Sequence, residues 1–256
     1  MKAGMKMSKS FNELYMESSK HSNYQILPSN LKGLVDDSML NIQSRYEKER
    51  LEYMLNNVNP EGKSVLDIGG NIGFFTFETV NKGAAKVDYY EGNTTHAEFV
   101  KKAVDELKLN DKIDVYPEYF LFEGSMKKYD IAYLLNVVHH FGDDFGNEES
   151  LENAKKAMLK CINYMAGISK VMLFQMGFNW CGDRNRCLWA NGTKKEMEEF
   201  IENGTSKYWN IVKIGVAVKK GDVIIYEDMN DINNERNDSL GEFLNRPIFI
   251  MKSKLM

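Results

Sequence analysis

The feature that most constrains this chain is a short apolar strand that leads directly into a glycine-rich turn and then into a helix. The run SVLDI at residues 64–68 is followed by GGNIG at 69–73, and residues 74–82 have the pattern of a helix. Glycine lets a backbone turn tightly and lets a ligand come close to it. This order of elements predicts a cradle for a phosphate or a nucleotide at the carboxyl end of the strand.

The rest of the chain alternates apolar, strand-like runs with amphipathic, helix-like segments. Such alternation predicts an α/β domain with a mostly parallel sheet of seven strands and helices on both faces. Three β-like segments close together near the end of the chain predict an antiparallel edge. Strands or β-like segments are expected at 64–68, 86–91, 113–116, 129–138, 170–176, 209–218, 222–227 and 247–252. Helices are expected at 11–18, 37–57, 74–82, 94–109, 148–166 and 193–203, the last with a capping box at Thr193 and Glu196.

The chain reads as one domain with an extension. We expect residues 1–36 to form an N-terminal arm, or lid, and residues 37–256 to form a single domain. The segment EDMNDINNERND is polar and acidic, which predicts a mobile loop over 227–240.

Composition narrows the class of protein. Of the 256 residues 43% are hydrophobic and 27% charged, which excludes disorder of the whole chain. No apolar run reaches the roughly 18 residues of a transmembrane helix, and the first residues lack the apolar region of a secretory signal. The 33 basic and 37 acidic residues give a net charge of −4, unlike the basic footprint of a nucleic-acid binder. We therefore expect no membrane and no nucleic-acid partner.

The three cysteines predict free thiols in a reducing cytoplasm. Cys181 and Cys187 are spaced too widely for a structural zinc site, and no second pair follows them, so no metal is expected.

Two families of nucleotide-binding loop have to be separated. The dinucleotide fingerprint G-x-G-x-x-G/A would place the bulky Phe74 at its third small position, which disfavours an NAD-dependent oxidoreductase. The alternative pattern, acidic-x-G-x-G-x-G, fits from Asp67 to Gly73, with Asn71 at the middle glycine. Asparagine is among the residues that best tolerate a positive φ.

At this point the sequence resembles the class I S-adenosylmethionine-dependent methyltransferases. The stretch VLDIGGNIGFFTFE is similar to their first motif, and Glu91 lies 18 residues after Gly73 at the end of the next predicted strand. The stretch LLNVVHH at 134–140 resembles the family's motif beside the methyl donor. The resemblance implies a Rossmann-like methyltransferase fold and S-adenosylmethionine as cofactor, with S-adenosylhomocysteine as product.

The resemblance also implies roles for residues of the cofactor site. Asp67 would orient the loop or the methionine end of the cofactor, with the loop backbone beneath the methionine and ribose. Glu91 would hold both ribose hydroxyls, since a carboxylate accepts two hydrogen bonds at once. Tyr119 or Phe120 would wall the adenine, although core packing explains these rings equally well. The cofactor-binding residues implied in this way are Asp67, Gly69, Gly70, Asn71, Gly73, Glu91, Gly92, Asn93, Tyr119, Asn136 and Arg45.

Arg45 is implied because some relatives direct an arginine from the preceding helix at the cofactor carboxylate. A solvated helix face, shared with Glu47, Lys48, Glu49 and Arg50, explains it at least as well.

A base is needed if the methyl acceptor is a hydroxyl or an ammonium, and histidine suits that role near neutral pH. His139 and His140 follow the fourth predicted strand, where ligands bind in parallel sheets. Successive residues at a strand end point in different directions, so one of the two is expected to face the pocket, and we favour His140. A strand cap packed against Phe141 is the alternative.

The acceptor pocket is expected at the loops after the fourth and fifth strands and at the arm. The segment QMGFNWCGDRNRCLW at 175–189 combines tryptophans, arginines and amides, which suggests a small polar substrate. Its arginines could meet a phosphate or carboxylate, and a solvated loop anchored by its tryptophans is the alternative. The predicted substrate-binding residues are Tyr24, Gln175, Trp180, Asp183, Arg184 and Arg186, with His21 and Gln25 as further lid candidates.

These observations favour an enzyme that methylates an oxygen or nitrogen atom of a small polar metabolite, as a monomer or a homodimer. The paired histidines, the QMGFNWCGD loop and NRPIF at 245–249 resemble methyltransferases of bacterial surface-polysaccharide clusters, which implies a phosphorylated or sugar-related acceptor and a role in capsule biosynthesis. The alternatives are an RNA or protein methyltransferase and a non-catalytic relative that only binds the cofactor.

Overall fold

The computed structural model of the protein describes residues 9–17, 24–36, 38, 40–124, 127–142, 146 and 150–256. The lid candidate His21 lies outside these residues. The strands form one sheet. They are β1 (Ser64–Ile68), β2 (Lys86–Tyr90), β3 (Ile113–Tyr116), β4 (Tyr129–Leu135), β5 (Ser169–Gln175), β6 (Trp209–Lys220), β7 (Val223–Asp228) and β8 (Ile248–Ser253).

The sheet is mostly parallel with an antiparallel edge, as predicted. Its order is β3-β2-β1-β4-β5-β8-β6-β7. The first five of these strands pair in parallel, whereas β8 lies antiparallel between β5 and β6. The sheet has eight strands in the described residues rather than the expected seven, because all three of the late β-like segments pair in it; β7, at the segment expected over 222–227, forms a hairpin with β6 at the edge.

Helices cover both faces of the sheet, as the alternation predicts. Residues along β1 alternate between two apolar cores: Val65 belongs to one and Leu66 to the other. The first core holds the apolar faces of the helices that precede β3, and the second holds those of the helices that flank β5. The helices are α1 (Phe11–Met16), α2 (Glu47–Asn57), α3 (Phe74–Asn81), α4 (Thr94–Glu106), α5 (Leu151–Met165), α6 (Lys194–Thr205) and α7 (Gly241–Leu244).

Among the predicted elements whose ends differ in the structure, two are limited by a residue with a positive φ. The helix expected from residue 37 begins at Glu47, because Tyr46 before it is left-handed, with a φ of 56°. The fourth strand ends at Leu135, because Asn136 has a φ of 62° and a 3-10 turn follows at Val138–His140. The capping box of Thr193 and Glu196 at the start of α6 is present as predicted.

The N-terminal arm packs on the domain through α1. Phe11 and Tyr15 are buried in the first core, and the ring of Phe11 meets the ring of Phe99 on α4 edge to face. The hydroxyl of Tyr15 donates to the carbonyl of Gln25 at 2.8 Å. The side chain of Gln25 in turn accepts from the amide of Phe74 at 3.1 Å, which ties the arm to the first turn of α3.

The acidic segment at 227–240 is only partly a loop. Its first two residues belong to β7, and Asp228 accepts from the hydroxyl of Tyr53 at 2.9 Å. Farther along, the buried Lys194 donates to the carbonyls of Asn233 and Glu235 at 2.9 and 2.8 Å. These bonds fix the segment against α6, so that the chain arrives at α7 next to the sheet.

The direction of β8 decides where α7 lies. A parallel strand has its carboxyl end at the edge of the sheet where ligands bind. Because β8 runs the other way, that edge holds the residues that precede it, from Gly241 to Pro247. The helix α7 therefore lies beside the carboxyl end of β5.

Candidate functional site

A cavity of about 730 Å³ opens at the carboxyl ends of the parallel strands. Its size lies within the range of about 300–1,000 Å³ that is usual for sites of small molecules and cofactors. The loops after β1, β2, β3 and β4 form one side, and the arm, the segment before α2, α7 and the loop after β5 form the other. The switch in strand order between β1 and β4 lies beneath it, where ligands of such sheets bind.

The glycine loop has the backbone that its sequence predicts. Gly69 and Asn71 have positive φ values of 69° and 52°. The side chain of Asn71 accepts from the amide of Ile72 at 2.9 Å, and its carbonyl accepts from the hydroxyl of Tyr89. These local bonds hold Asn71 in the left-handed conformation that a middle glycine would adopt without help.

Glu91 joins the loops that follow β1 and β2. Its Oε2 accepts from the amide of Asn71 at 2.8 Å, and its Oε1 accepts from the amide of Asn93 at 2.8 Å. Glu91 and Asn71 both line the cavity, whereas Asn93 does not. The side chain of Asn93 caps α4 by accepting from the amides of Thr95 and His96 at 3.0 and 3.2 Å.

Bare backbone lines the cavity at two further glycines. A Cβ at Gly92 would lie 2.3 Å from the ring of Tyr119, which is 47% exposed. A Cβ at Gly70 would lie 2.5 Å from the buried ring of Tyr89. The ring of Tyr119 thus packs directly on the backbone of Gly92 at the wall of the cavity, a contact that a side chain at this position would prevent.

Asp67 is a buried carboxyl at the floor of the cavity. Its Oδ2 accepts from the hydroxyl of Thr76 at 2.6 Å. Burial raises the pKa of Asp67 from 3.8 to about 7; the Thr76 bond lowers it in part, and the charge of Glu91 raises it further. A cationic ligand above this carboxyl would favour the ionised form.

His139 and His140 both line the cavity, which contradicts the expectation that one faces it. The reason is that they belong to a 3-10 turn and not to a strand, so their side chains do not alternate. Their ring centroids lie 4.3 Å apart. His139 is buried, and its Nδ1 accepts from the amide of Gly177 at 3.2 Å, whereas His140 is half-buried.

A buried glutamine connects the ends of β4 and β5. The Oε1 of Gln175 accepts from the side chains of Asn136 and Arg50 at 2.9 and 3.1 Å, and its Nε2 donates to the carbonyl of Arg246 at 2.9 Å. The guanidinium of Arg246 donates to Oδ1 of Asn136 at 2.8 Å. Gln175 does not line the cavity; it holds the polar residues that do.

Arg246 is paired with Glu242, one helical turn before it. The distance between Nη2 and Oε2 is 2.6 Å, and Nε lies 3.0 Å from Oε1. Burial by itself raises the pKa of Glu242, but the charge and hydrogen bonds of Arg246 outweigh it and hold the pKa below its ordinary value. The amide of Phe178 also donates to Glu242, at 3.1 Å, which joins α7 to the loop after β5.

The loop after β5 turns back on itself above the histidines. The amide of Trp180 donates to the carbonyl of Arg186 at 2.8 Å, and its indole donates to the carbonyl of Phe141 at 2.5 Å. The guanidinium of Arg186 stacks on the Trp180 ring at 3.7 Å. Asp183 accepts from the amide of Asn185 at 2.9 Å and stabilises the turn. These three predicted substrate residues do not line the cavity, whereas Arg184 does.

Of the predicted site residues, the structure brings most together around one cavity. Gly73 starts α3 and packs against Phe77 and Val100 instead of lining it. Arg45 lines it but precedes α2 by two residues instead of lying on that helix. The predicted residues at the cavity are Tyr24, Gln25, Arg45, Asp67, Gly69, Gly70, Asn71, Glu91, Gly92, Tyr119, Phe120, Asn136, His139, His140 and Arg184.

The charged residues on the side of the cavity formed by α2 and α7, opposite the glycine loop, were not predicted from the sequence. Arg50 was grouped with a solvated helix face, yet it is buried under the cavity together with Glu47. Glu242, Phe243 and Arg246 were not assigned to the site. Their signal was their place directly before an antiparallel strand, which puts them at the ligand edge.

Within the described part of the chain, no group of three or more His, Cys, Asp or Glu residues is placed to hold a metal ion. No described helix is long and apolar enough to cross a membrane.

Comparison with known proteins supports the fold. No family profile and no curated protein matches the chain. The "Putative hemolysin from Streptococcus thermophilus" matches with a TM-score of 0.51 and 14% identity over 84% of this chain and 68% of that one. The 16S rRNA methylase RmtB matches with a TM-score of 0.50 and 11% identity, over 82% and 64%. Magnesium protoporphyrin IX methyltransferase from Synechocystis PCC 6803, solved with bound SAM, matches with a TM-score of 0.48 and 12% identity, over 79% and 75%.

At these identities the likeness shows the fold alone. Together with the strand order, it shows that the chain has the Rossmann-like fold of the class I methyltransferases.

Proposed function

We propose that the protein binds S-adenosylmethionine and transfers its methyl group to an oxygen or nitrogen atom of a small polar acceptor. One observation carries the proposal: Glu91 and the Asn71 loop meet at 2.8 Å beside a cavity that lies over the β1–β4 switch point. A doubly wound sheet with this loop, this acid and this cavity offers a nucleoside-binding site.

The residues present fit the cofactor. Glu91 lines the cavity, and a carboxylate accepts several hydrogen bonds at once, which suits the two hydroxyls of a ribose. The ring of Tyr119, which lies against Gly92 at the wall of the cavity, is an aromatic surface on which an adenine could pack. Asp67 would face the cationic methionine end, and Asn136 offers a carbonyl oxygen to its ammonium.

S-adenosylmethionine supplies a methyl group on an already activated sulfonium, so the protein has to position the acceptor, exclude water and take up a proton. His140 is the residue we propose as the base. His139 is unsuited to that role, because its Nδ1 accepts the amide hydrogen of Gly177 and the proton of the neutral ring is therefore on Nε2. His139 would instead donate a hydrogen bond and orient the acceptor.

The acceptor that we favour is a phosphorylated or sugar-related metabolite, as the resemblance to surface-polysaccharide methyltransferases implies. His139 and His140 line the cavity together with Asn179 from the loop after β5. This position of the polar side chains suits a small molecule that enters the cavity. The net charge of −4 suits an RNA acceptor poorly. RNA nevertheless belongs in the experiment, since one structural neighbour is a 16S rRNA methylase.

The test is calorimetric titration with S-adenosylmethionine, S-adenosylhomocysteine and NADH. The proposal is supported if S-adenosylmethionine and S-adenosylhomocysteine bind with micromolar affinity and NADH does not bind. It is contradicted if only NADH binds. Release of S-adenosylhomocysteine would then be measured with phosphorylated small molecules, nucleotide sugars and total RNA as acceptors. Cofactor binding without turnover on any of them would favour the non-catalytic alternative. Turnover on RNA alone would replace the proposed acceptor class.

A further inference from the structure

Three arginines surround one aromatic ring at the far wall of the cavity. The guanidinium carbons of Arg45, Arg50 and Arg246 lie 5.3, 5.1 and 5.0 Å from the centroid of the Phe243 ring. The guanidinium of Arg45 also lies 4.7 Å from the ring of Tyr24 in the arm. All three arginines line the cavity, as do both rings. We call Arg45, Arg50 and Arg246 the arginine cluster.

The carboxylates nearby neutralise the arginine cluster only in part. Arg246 is paired with Glu242 at 2.6 Å. The carboxylate nearest to Arg50 is that of Glu47 at 3.9 Å, and burial raises the pKa of Glu47. For Arg45, no carboxylate of the described residues lies within 4.0 Å of the guanidinium, whose contacts are the two rings.

This excess of positive charge is unfavourable without a ligand. Arg50 is buried, and burial lowers the pKa of its guanidinium; the charge of Glu47 offsets this in part, and Arg246 and Arg45 lower the pKa further. A buried charge without a close partner costs stability. An anion that enters the cavity and accepts hydrogen bonds from these guanidiniums would remove that cost, because guanidinium matches phosphate and carboxylate in geometry.

Charge is divided along the cavity. Asp67, Glu91 and Glu118 lie at the ends of β1, β2 and β3, on the side where the cofactor is proposed to bind. The arginine cluster begins beside Asn136, to which Arg246 donates, and lies at the ends of β5 and β8, since Arg50 bonds to Gln175 and Arg246 directly precedes β8. A cationic cofactor suits the acidic end, and an anionic molecule suits the basic end.

We propose that the arginine cluster is an anion subsite that takes a phosphate or carboxylate group of the methyl acceptor. That the anion belongs to the acceptor rests on the proposed function. The subsite would hold the acceptor by its charged group and leave its nucleophilic atom toward His139 and His140. The other source of the same chemistry is the carboxylate of the cofactor itself, and the experiment separates the two.

The experiment is calorimetric titration with inorganic phosphate at constant ionic strength, with and without saturating S-adenosylhomocysteine. We expect phosphate to bind in both conditions, with dissociation constants that agree within about threefold. Loss of phosphate binding when S-adenosylhomocysteine is present would assign the arginine cluster to the cofactor carboxylate and overturn the proposal. Absence of phosphate binding in both conditions would also overturn it.

Arg45→Gln tests the residues, since this side chain is half-buried and stacked instead of holding the core. The loss of a charge-assisted hydrogen bond should weaken phosphate binding about 10- to 100-fold. Lys156→Gln removes the same charge from the exposed side of α5 and should leave it within about twofold. Equal changes in the phosphate dissociation constant of the two variants would show that phosphate is held by general charge attraction, and would overturn the proposal.

Failure of the proposed function has a different signature. S-adenosylhomocysteine would then not bind in its own titration, while the phosphate titration of the protein alone would still report on the arginine cluster. Normal binding of S-adenosylhomocysteine together with no phosphate binding would contradict the anion subsite only.

Discussion

The amide of Asn71 donates to Oε2 of Glu91 at 2.8 Å, and this bond joins the glycine loop after β1 to the end of β2. The other carboxylate oxygen holds the amide of Asn93, at the start of α4. One acidic side chain thus sets the distance between the two loops that would enclose a ribose. The position is organised before a ligand arrives, which lowers the cost of binding.

Glu91→Gln should therefore weaken binding of S-adenosylhomocysteine by about 10- to 100-fold, since hydrogen bonds to a charged group contribute about 1.5–3 kcal/mol. The amide oxygen of Gln can still accept from one loop amide, so the fold should persist, and Glu91→Ala should bind still more weakly. Calorimetry measures the dissociation constant. Glu106→Gln, which removes the same charge from an exposed position at the end of α4, is the control. Unchanged binding in both Glu91 variants would remove the ribose role.

Alanine substitutions at Gly92 and Gly70 should separate an effect on cofactor binding from an effect on folding stability. In Gly92→Ala the new methyl group meets the ring of Tyr119, which is partly exposed and can move away from Gly92 into the cavity. We expect a loss of affinity for S-adenosylhomocysteine of about tenfold, with less than about 1 kcal/mol lost in the free energy of unfolding.

In Gly70→Ala the methyl group meets the ring of Tyr89, which is buried and bonded to the Asn71 carbonyl. Overpacking of this kind costs about 1–3 kcal/mol. Urea unfolding of both variants gives the comparison. Equal loss of stability in the two would show that Tyr119 is as fixed as Tyr89, and would contradict a ring that can move at the wall of the cavity.

Local chemistry explains why the cofactor side of the site could be predicted from the sequence. Asp67 to Gly73 and Glu91 act through the chain directly around them: a strand end, a positive φ and a carboxylate after the next strand. The two loops lie side by side because β1 and β2 are adjacent in the sheet. The motif and the expected order of the strands were enough to predict that these residues lie close together.

The arginine cluster could not be predicted in the same way, because its formation depends on contacts between residues that are far apart in the sequence. Arg50 follows several charged residues, and a helix pattern of that kind is typical of a solvated face. It is buried because Gln175 and α7, which are 125 residues or more farther along the chain, cover it. The position of α7 follows from the insertion of β8 between β5 and β6, and neither periodicity nor composition reveals that strand order.

Asp67 should give the folding stability a specific pH dependence. Its pKa is about 7 in the folded protein and 3.8 without burial, so between these values the folded state holds a proton that the unfolded state has lost. Stability from this group therefore falls as pH rises from about 4 to about 7, by up to about 4 kcal/mol in total. The amide in Asp67→Asn cannot ionise and can still accept a hydrogen bond from Thr76. The free energy of unfolding of this variant should therefore change less over this pH range, and it should exceed that of the natural protein at pH 8.

Urea unfolding at a series of pH values measures this difference. Asp111→Asn, at an exposed position before β3, is the matched control and should follow the natural protein. Parallel curves for Asp67→Asn and the natural protein would mean that Asp67 is ionised in the folded state throughout, against the effect of its burial.

The two histidines should respond differently to the same pair of substitutions. If His140 is the base, His140→Ala and His140→Gln should both lower kcat by about 10²–10⁴, because neither side chain can take up the proton. His139 acts in our proposal as a donor fixed by Gly177. His139→Gln retains an N–H group at the end of a side chain of similar reach, so it should keep most of the turnover that His139→Ala loses.

The measurement is release of S-adenosylhomocysteine with the acceptor found in the screen, together with calorimetric binding of S-adenosylhomocysteine, which should stay within about threefold in all four variants. The pH profile of kcat adds an independent readout: its acidic limb should disappear in the His140 variants and persist in His139→Gln. Rescue by glutamine at His140 instead of His139 would exchange the two roles. Full activity of His140→Ala would mean that the acceptor reacts without a base from this turn, as an already ionised phosphate or carboxylate oxygen would.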